Sequence, residues 1–348
     1  MRILIATDAW RPQVNGVVST LERMTQAAAE FGAQFEFLTH VGMWTAPMPT
    51  YPDIRLALAS PWRINRRIEE AAPDHIHIAT EGPIGWLARR WCLKNGRLFT
   101  TSYHTRFPEY IAARTGVPER VTYAGLRRFH APSAAVMAPT PTIAEDLRRR
   151  GFGRVRLWSR GVDHALFRPR CERAFDLKRP IFLYVGRVAV EKNLEALLRL
   201  DLPGSTVVVG DGPARSALQR RYRHAHFLGA RYGEALARTY ASADVFVFPS
   251  RTDTFGIVLI EAMASGLPVA AFPVPGPIDV VGPAAGALDE DLGAACLKAL
   301  TIPGEAAREH SMRYTWSESA RQFLDIIETS RGRPQRAKER QLELVGEA

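Results

Sequence analysis

Residues 245–266 read VFVFPSRTDTFGIVLIEAMASG, in which an apolar run passes through a polar loop into a second apolar run. Val245 to Phe248 has the length and the β-branched and aromatic content of a buried strand. Ile257 to Ala264 has helical periodicity and small residues, so a helix is expected there. This places Asp253 in a strand-to-helix loop and Glu261 inside the helix, a unit typical of parallel, doubly wound sheets.

Two carboxylates therefore flank one helix start. We expect the peptide N–H groups of Phe255, Gly256 and Ile257 to face an anion such as a diphosphate, because helix N-termini favour negative charge. Asp253 and Glu261 would then bind hydroxyl groups on either side of that anion, which matches a nucleotide diphosphate-sugar. The alternative is that Asp253 caps the helix and Glu261 is a surface charge. Glu261 lies among apolar residues, however, and a carboxylate that faces a core needs a partner.

Alternation of strand and helix extends along the chain. Strands are predicted at 2–6, 34–39, 75–78, 98–101, 134–137, 181–185, 206–209 and 245–248, and helices include 17–31, 193–200, 214–222 and 317–327. At 348 residues the chain is long enough for two domains. The pattern predicts an α/β fold of two Rossmann-like, doubly wound domains that face a central cleft.

A linker separates the two halves. Residues 161–170 and the polar segment up to 179 have the composition of a connection, so we expect the boundary near residue 170. The N-terminal domain is then 1–168 and the C-terminal domain 169–315. We expect the closing helix, 316–330, to pack back on the first domain and residues 331–348 to form a charged tail.

Composition favours a globular cytoplasmic protein. Hydrophobic residues make up 46% of the chain and charged residues 24%. No apolar run reaches the roughly 18 residues that a spanning helix needs, and the first residues lack a signal-peptide pattern. Cys92, Cys171 and Cys296 are scattered, so we expect neither a disulfide frame nor a metal site.

The net charge of +10 is concentrated in the first half, where residues 1–165 contain 22 Lys and Arg against 14 Asp and Glu. Arginines alternate with tryptophan and aliphatic residues at 62–67, which includes Arg63, Arg66 and Arg67, and again at 86–94. Such segments favour an anionic membrane surface, so we expect peripheral binding to the inner face of the cytoplasmic membrane. Nucleic acid and an ordinary solvated face are the alternatives.

Cations follow the first strand of the second half. Gly186, Arg187 and Lys192 lie in the loop after 181–185, and ligands bind beyond the carboxyl ends of strands in such sheets. A leaving diphosphate gains negative charge as the glycosidic bond breaks, and a guanidinium fork with an ammonium group stabilises it. The alternative is a pair of surface cations.

Glycine loops follow other strands. Gly210 and Gly212 form a tight turn after 206–209 that would let a nucleotide approach closely, although the turn matches neither a dinucleotide fingerprint nor a P-loop. In the first half, Asn15 and Gly16 precede a helix. We expect Gly16 to offer its backbone N–H to a phosphate and Asn15 to reach the donor or the acceptor.

One histidine is a candidate for catalysis. His104 follows the strand at 98–101, where an imidazole could bind the transferred sugar or orient an acceptor hydroxyl. We expect its neighbours Tyr103 and Thr105 to contact the acceptor. A structural histidine is the alternative, and we interpret His75 and His77 as structural because no third metal ligand is near them in the pattern. No Ser/His/Asp triad or cysteine nucleophile is evident.

Taken in order, these motifs resemble the family-four retaining glycosyltransferases of the GT-B type. The resemblance covers essentially the whole chain, from Asn15 and Gly16 to Trp316. It implies that no metal or cofactor is needed. It also assigns donor-sugar binding to Asp253 with Phe255 and Gly256, ribose binding to Glu261, and diphosphate binding to Arg187 with Lys192.

One position departs from the family pattern, because Asp253 stands where the family usually has glutamate. Members with similar TDTFG and YHT segments include enzymes that glycosylate diacylglycerol and other bacterial lipids. We therefore expect retaining transfer of a hexosyl unit from a nucleotide diphosphate-sugar, with a UDP-sugar favoured, to a membrane lipid such as diacylglycerol.

Several alternatives remain open. A GDP-mannose-dependent α-mannosyltransferase and a lipopolysaccharide or polysaccharide glycosyltransferase fit the same motifs. A non-enzymatic nucleotide-sugar sensor would keep the cleft without chemistry. A phosphorylase would need a pyridoxal-binding lysine, for which the sequence gives no argument, and no nucleic-acid partner is expected.

Overall fold

The computed structural model describes residues 1–13, 15–48, 51–171 and 174–331, and each half of the chain is built on a six-stranded parallel sheet. The predicted architecture of two doubly wound α/β domains is confirmed. The expected charged tail lies outside the described residues beyond Arg331.

The first sheet has the order β2-β1-β5-β6-β7-β8. β3 and β4 lie outside it and form an antiparallel hairpin. The strands of this half are β1 (Arg2–Ala6), β2 (Gln34–Leu38), β3 (Thr45–Met48), β4 (Tyr51–Ala57), β5 (His75–Ile78), β6 (Phe99–Ser102), β7 (Ala135–Ala138) and β8 (Val155–Leu157).

Six helices cover this sheet: α1 (Gly16–Ala28), α2 (Pro61–Ala71), α3 (Pro83–Lys94), α4 (Phe107–Thr115), α5 (Glu119–His130) and α6 (Pro141–Arg149). Four of them begin with proline in the first turn, where its missing N–H costs no hydrogen bond. The helix predicted at 17–31 ends as α-helix at Ala28, continues as a 3₁₀ turn, and stops at Gly32, which has φ of 72°.

The second sheet has the order β11-β10-β9-β12-β13-β14. Its strands are β9 (Ile181–Val185), β10 (Ser205–Val209), β11 (His226–Gly229), β12 (Val245–Phe248), β13 (Val269–Ala271) and β14 (Gly286–Leu288). β9 and β12 are neighbours in space although about 60 residues separate them, so the loops that follow them lie side by side.

The helices of the second half are α7 (Glu195–Leu198), α8 (Arg215–Arg221), α9 (Gly233–Ala241), α10 (Ile257–Ala264), α11 (Pro277–Val280), α12 (Leu292–Ala299) and α13 (Gly304–Ser311). The predicted helix at 193–200 is shorter than expected. A 3₁₀ turn at Val190–Lys192 ends at Asn193, whose left-handed φ of 51° interrupts the helix before α7.

The closing helix, α14 (Trp316–Arg331), packs on the first domain. Phe323 and Ile327 are fully buried beside α1 and β1, and the Trp158 indole donates to the Ser319 carbonyl at 3.1 Å. The last helix of the described residues thus follows the second domain in sequence but packs on the first domain. We keep the division at residues 168 and 315 as a proposal.

Candidate active site

The loops predicted to form the site meet between the two sheets. Thr254, in the β12–α10 loop, donates its hydroxyl to the His104 carbonyl at 2.7 Å, and its own carbonyl accepts from Thr140 at 3.4 Å. A side chain added at Gly16 would lie 3.8 Å from Ile257, at the start of α10. Loops from both domains therefore surround the N-terminus of α10.

The N-terminus of α10 has an unusual cap. Gly256 adopts φ of 81°, and within the described residues no side chain caps the helix. A Cβ at Gly256 would also lie 2.9 Å from the Leu259 side chain. Both the positive φ and this close contact therefore favour glycine at position 256. The first N–H groups of α10 thus receive no side-chain acceptor from the protein, as an anion site requires.

Asp253 contacts Lys192 and does not cap the helix. The lysine Nζ lies 2.5 Å from Asp253 Oδ1, and the two side chains are 20% and 18% exposed. Burial alone would lower the pKa of Lys192, but the carboxylate of Asp253 raises it above its ordinary value. The second carboxylate oxygen, Oδ2, is buried and has no hydrogen-bond partner among the described residues.

Tyr110 from α4 joins this pair from the first domain. Its hydroxyl bonds the Thr252 side chain. Burial raises the pKa of Tyr110, the Lys192 charge lowers it, and the Asp253 charge raises it again. Sequence reasoning missed Tyr110, because the expected site in that region ended at Thr105. Phe107 donates its N–H to the Thr105 carbonyl at 2.8 Å, so Thr105 lies at the turn that leads into α4.

Arg187 lies in the adjacent loop and is half-buried. Its carbonyl accepts from the Tyr184 hydroxyl at 2.8 Å, which fixes the loop after β9. Gly210 has φ of 137°, and a Cβ there would lie 1.8 Å from the Gly186 carbonyl; one at Gly212 would meet the Val188 carbonyl at 2.4 Å. Close packing between two loops accounts for these glycines, and nucleotide approach to them stays a prediction.

Glu261 lies inside α10 as predicted, and its partner is Tyr240 of α9. The Tyr240 hydroxyl donates to Glu261 Oε2 at 2.9 Å. Burial raises the pKa of Glu261 to about 7, against the lowering effects of that hydrogen bond and of the Arg23 charge from α1. The carboxyl is therefore poised between protonation states near neutral pH, and it is no ordinary surface charge.

His104 has both ring nitrogens engaged. Nε2 lies 2.8 Å from the Ser102 hydroxyl, and Nδ1 lies 3.3 Å from the Arg160 guanidinium. Burial, then the charges of Arg160 and His77, hold the pKa of His104 well below its usual range. Only its backbone carbonyl is seen to face the second domain, through Thr254. Sequence reasoning missed Arg160, which follows β8 directly before the linker glycine.

Two predicted acceptor residues have structural contacts. Tyr103 is 1% exposed and its hydroxyl lies 3.4 Å from that of Tyr123, so the structure moves it from the acceptor surface to the core. Asn15 caps α1, because its side-chain oxygen accepts from Val17 and Val18, both at 3.0 Å. Its amide nitrogen bonds Gln13 at 3.3 Å.

The basic segment at 62–67 lies in an exposed patch that we call the tryptophan patch. Its members are Val41, Trp44, Leu58, Trp62, Arg63 and Arg66. Trp44 and Trp62 are 85% and 68% exposed, and the Arg66 guanidinium lies 5.6 Å from the Trp62 ring. Backbone pairing of Leu58 with Trp44, and the approach of Arg63 to Gly42, bring these residues together. Arg67 donates to the Phe37 carbonyl at 3.3 Å nearby.

Other basic residues serve the fold. Arg89, in the second arginine-rich segment, donates to the carbonyls of Phe129 and Arg128, both at 2.8 Å, at the end of α5. Arg127 likewise donates to the Arg150 carbonyl. These contacts tie Arg89 and Arg127 to the fold, whereas Trp86, Arg90 and Lys94 of the second segment stay exposed.

Among the described residues, no group of three or more histidine, cysteine or acidic side chains is arranged to hold a metal ion. Within the same ranges, no helix combines the length and the apolar character needed to cross a bilayer.

Comparison with known proteins covers both halves. Residues 14–166 match the model described as Glycosyltransferase Family 4, and residues 179–301 match the one described as Glycosyl transferases group 1. A GDP-mannose-dependent alpha-mannosyltransferase of Mycobacterium tuberculosis is 34% identical over 81% of this chain and 82% of that protein. Sulfoquinovosyl transferase SQD2 of Arabidopsis thaliana is 31% identical over 79% of this chain and 60% of that protein.

Among solved structures, sucrose-phosphate synthase from Thermosynechococcus elongatus superimposes with a TM-score of 0.77 and 23% identity. The match covers 94% of this chain and 98% of that one. At this identity the similarity shows the fold alone, which is the GT-B arrangement of two domains around a cleft. Together with the sequence relatives it establishes that the chain is a glycosyltransferase and belongs to glycosyltransferase family four.

Proposed function

We propose that this glycosyltransferase moves a hexosyl unit from a nucleotide diphosphate-sugar to a membrane lipid hydroxyl, with retention at the anomeric carbon. The proposal rests on one observation above all: Lys192 pairs with Asp253 in the loop that leads to the uncapped N-terminus of α10, and Glu261 lies one turn inside the same helix. A dipole end that favours anions lies between two carboxylates that accept hydroxyls, which fits a diphosphate between a sugar and a ribose.

Each side chain has a role in this proposal. Arg187 and Lys192 bind the diphosphate, and the N–H groups of Phe255, Gly256 and Ile257 complete that contact. Asp253 accepts from a hydroxyl of the transferred sugar through its unpartnered Oδ2. Glu261 accepts from the ribose. Gly16 approaches from the first domain.

The chemistry follows from this layout. The bond between the anomeric carbon and the leaving phosphate oxygen breaks, and the acceptor oxygen bonds to the same face of the sugar. The acceptor proton passes to the departing phosphate. Positioning and stabilisation of the growing negative charge supply the rate enhancement. We propose that His104 contributes to the sugar site as a neutral group.

The lipid acceptor is supported by the tryptophan patch. Trp62 and Trp44 project amphipathic rings next to Arg63 and Arg66, the combination that binds at the headgroup level of an anionic bilayer. The patch belongs to the first domain, which we propose binds the acceptor. Diacylglycerol, which the sequence resemblance favours, is the acceptor to test first.

Two donors deserve direct comparison. The sequence resemblance favours a UDP-sugar, whereas the mycobacterial relative at 34% identity is named as GDP-mannose-dependent. GDP-mannose is therefore the second candidate donor. The side chains of Tyr110, Lys192, Asp253 and Glu261 can contact either nucleotide.

A donor panel tests the proposal. UDP- and GDP-sugars are screened for protection against thermal unfolding, since a ligand at a hundred times its dissociation constant adds about 2.7 kcal/mol to the free energy of unfolding. Donors that protect are then assayed for transfer to diacylglycerol in mixed-lipid vesicles. Protection without transfer to any lipid would favour a sensor, and absence of protection by every nucleotide-sugar would refute the proposed site.

A further inference from the structure

A continuous series of hydrogen bonds connects buried polar side chains of β5 and β6 with His104, in the loop after β6, and with Arg160, in the segment after β8. The chain of contacts has no gap larger than 3.3 Å. Its links are His75 Nε2 to Thr100 Oγ1 (3.0 Å), Thr100 Oγ1 to His77 Nδ1 (2.9 Å), His77 Nε2 to Ser102 Oγ (3.1 Å), Ser102 Oγ to His104 Nε2 (2.8 Å) and His104 Nδ1 to Arg160 Nη2 (3.3 Å).

The Arg160 end determines the direction of these bonds. A guanidinium only donates, so His104 Nδ1 must be the acceptor and must lack a proton. In a neutral imidazole the other nitrogen then bears the proton, and His104 Nε2 donates to Ser102 Oγ.

Ser102 extends the same donor-to-acceptor direction to the next hydrogen bond. Its own proton has two acceptors within reach, His77 Nε2 at 3.1 Å and the Ala79 carbonyl at 3.5 Å, and the second distance is at the limit of a hydrogen bond. If Ser102 donates its proton to His77 Nε2, then His77 Nδ1 carries the ring proton and donates to Thr100 Oγ1. Thr100 in turn donates its hydroxyl proton to His75 Nε2. One cation thus orders the tautomers of three histidines.

Arg160 is held rigidly. It is 4% exposed, and it donates to the carbonyls of Trp158 at 2.7 Å and Ser159 at 3.1 Å while its guanidinium lies 4.2 Å from the Trp158 ring. Among the described residues no carboxylate forms an ion pair with it, and burial lowers its pKa to about 9. A buried cation without a counter-charge is costly, so its contact with His104 calls for an explanation.

No acid among the residues that the structure describes favours the charged form of His104. The titratable and charged groups that face its ring are His77 from β5 and Arg160 from the segment after β8, and both lower its pKa after burial does. Trp158 lies edge-on at 5.7 Å. From the second domain, Thr254 contacts only the backbone carbonyl.

We propose that Arg160 is a positioning residue that locks His104 in the neutral Nε2–H tautomer, so that His104 serves the sugar site as a fixed group and takes no proton during transfer. This inference rests on the proposed function for its catalytic consequence. The tautomer itself is measurable without substrate, so the two can fail separately.

The first experiment is NMR of protein labelled with ¹⁵N in histidine, with His104 identified by loss of its signals in His104→Gln. The expected wild-type result is an unprotonated Nδ1, a protonated Nε2 and no titration between about pH 5.5 and 8, because burial and the nearby cation both oppose protonation. A protonated Nδ1 or a titration in this range in the wild type would overturn the proposal even if no variant folds.

Two variants test the cause. Arg160→Met removes the donor to His104 Nδ1, so the Nδ1–H tautomer of His104 is expected to appear, while burial still opposes protonation of the ring. Turnover at pH 7.5 should fall by about 100-fold, the size of a positioning defect, while the donor KM changes little. Arg160→Lys keeps a charge and a donor, so it should keep His104 in the Nε2–H tautomer.

Arg308→Gln is the matched control. Arg308 is also an arginine that donates to backbone carbonyls, those of Phe167, Ala264 and His164, but it lies in the second domain. Its loss should lower stability without changing the His104 tautomer or the shape of the pH profile. Equal effects of Arg308→Gln and Arg160→Met on the His104 tautomer, or an unchanged His104 tautomer in Arg160→Met, would refute the positioning role.

Discussion

Asp253→Asn should strengthen the binding of a nucleoside diphosphate while it weakens sugar transfer. In the structure Lys192 Nζ contacts Asp253 Oδ1 at 2.5 Å, so the cation that we assign to the diphosphate is already occupied by a carboxylate. A diphosphate must compete with that carboxylate for the lysine. Asparagine has nearly the same size and removes the competing charge.

The magnitude follows from the contact. A hydrogen bond to a charged group contributes about 1.5–3 kcal/mol, and both partners here are largely shielded from water. Removing the competition by about 2 kcal/mol corresponds to a roughly 30-fold lower dissociation constant for the diphosphate. The same change leaves Lys192 without its counter-charge, so the ligand-free variant should unfold at a lower temperature and gain more stability from the ligand.

Calorimetric titration with UDP and GDP measures this effect without any sugar in the ligand, and a transfer assay measures the opposite effect on turnover. Asp244→Asn is a suitable control, because Asp244 precedes β12 at the far end of the strand and pairs with Arg179. It should leave diphosphate affinity unchanged. Weaker binding of the diphosphate to Asp253→Asn would refute the idea that the two groups compete for Lys192.

Three further outcomes are expected. Lys192→Ala and Arg187→Ala should each lower turnover about 10²–10³-fold with an unchanged circular dichroism spectrum, and near-normal turnover would contradict a diphosphate role. Because burial raises the pKa of Glu261 from 4.5 to about 7, the folded state holds the proton more tightly than the unfolded chain. The free energy of unfolding should therefore fall by up to about 3 kcal/mol as pH rises across that interval, and urea titrations of Glu261→Gln at pH 4.5 and 7.5 should lack this difference. Trp62→Ser should weaken binding to anionic vesicles by about 2 kcal/mol, whereas Tyr232→Ser, an exposed aromatic of the second domain, should not; equal effects would exclude the tryptophan patch as the membrane surface.

Sequence patterns predicted the central elements closely. β1, β9, β12 and α10 have the predicted bounds, because each is an apolar run with clear ends. The β3–β4 hairpin was not predicted, although β4 has seven residues, and neither was β13, because a strand of three residues depends on a neighbour for its definition. The left-handed backbone of Asn193 interrupts the helix predicted at 193–200. This break was not predicted, because the spacing of apolar residues carries no information about a single left-handed residue.

Which loops form the site was also foreseeable, but the contacts between them were not. The sequence placed Lys192 and Asp253 after two strands, and only the sheet order reveals that β9 and β12 are neighbours. Tyr240 and Arg160 escaped notice for a similar reason. A tyrosine on a helix and an arginine before a linker have no distinctive local pattern, and their roles come from contacts made in three dimensions.

The two carboxylate oxygens of Asp253, the residue that stands where the family usually has glutamate, lie in different environments. Oδ1 pairs with Lys192, while Oδ2 is buried without a partner among the described residues, and an unsatisfied buried acceptor costs about 1–3 kcal/mol. A sugar hydroxyl that donates to Oδ2 would relieve this cost, and a diphosphate that binds Lys192 would free Oδ1 as well. Asp253 therefore gains most when both halves of a donor are present, which favours the intact nucleotide-sugar over either fragment and gives a function to the contact between Lys192 and Asp253.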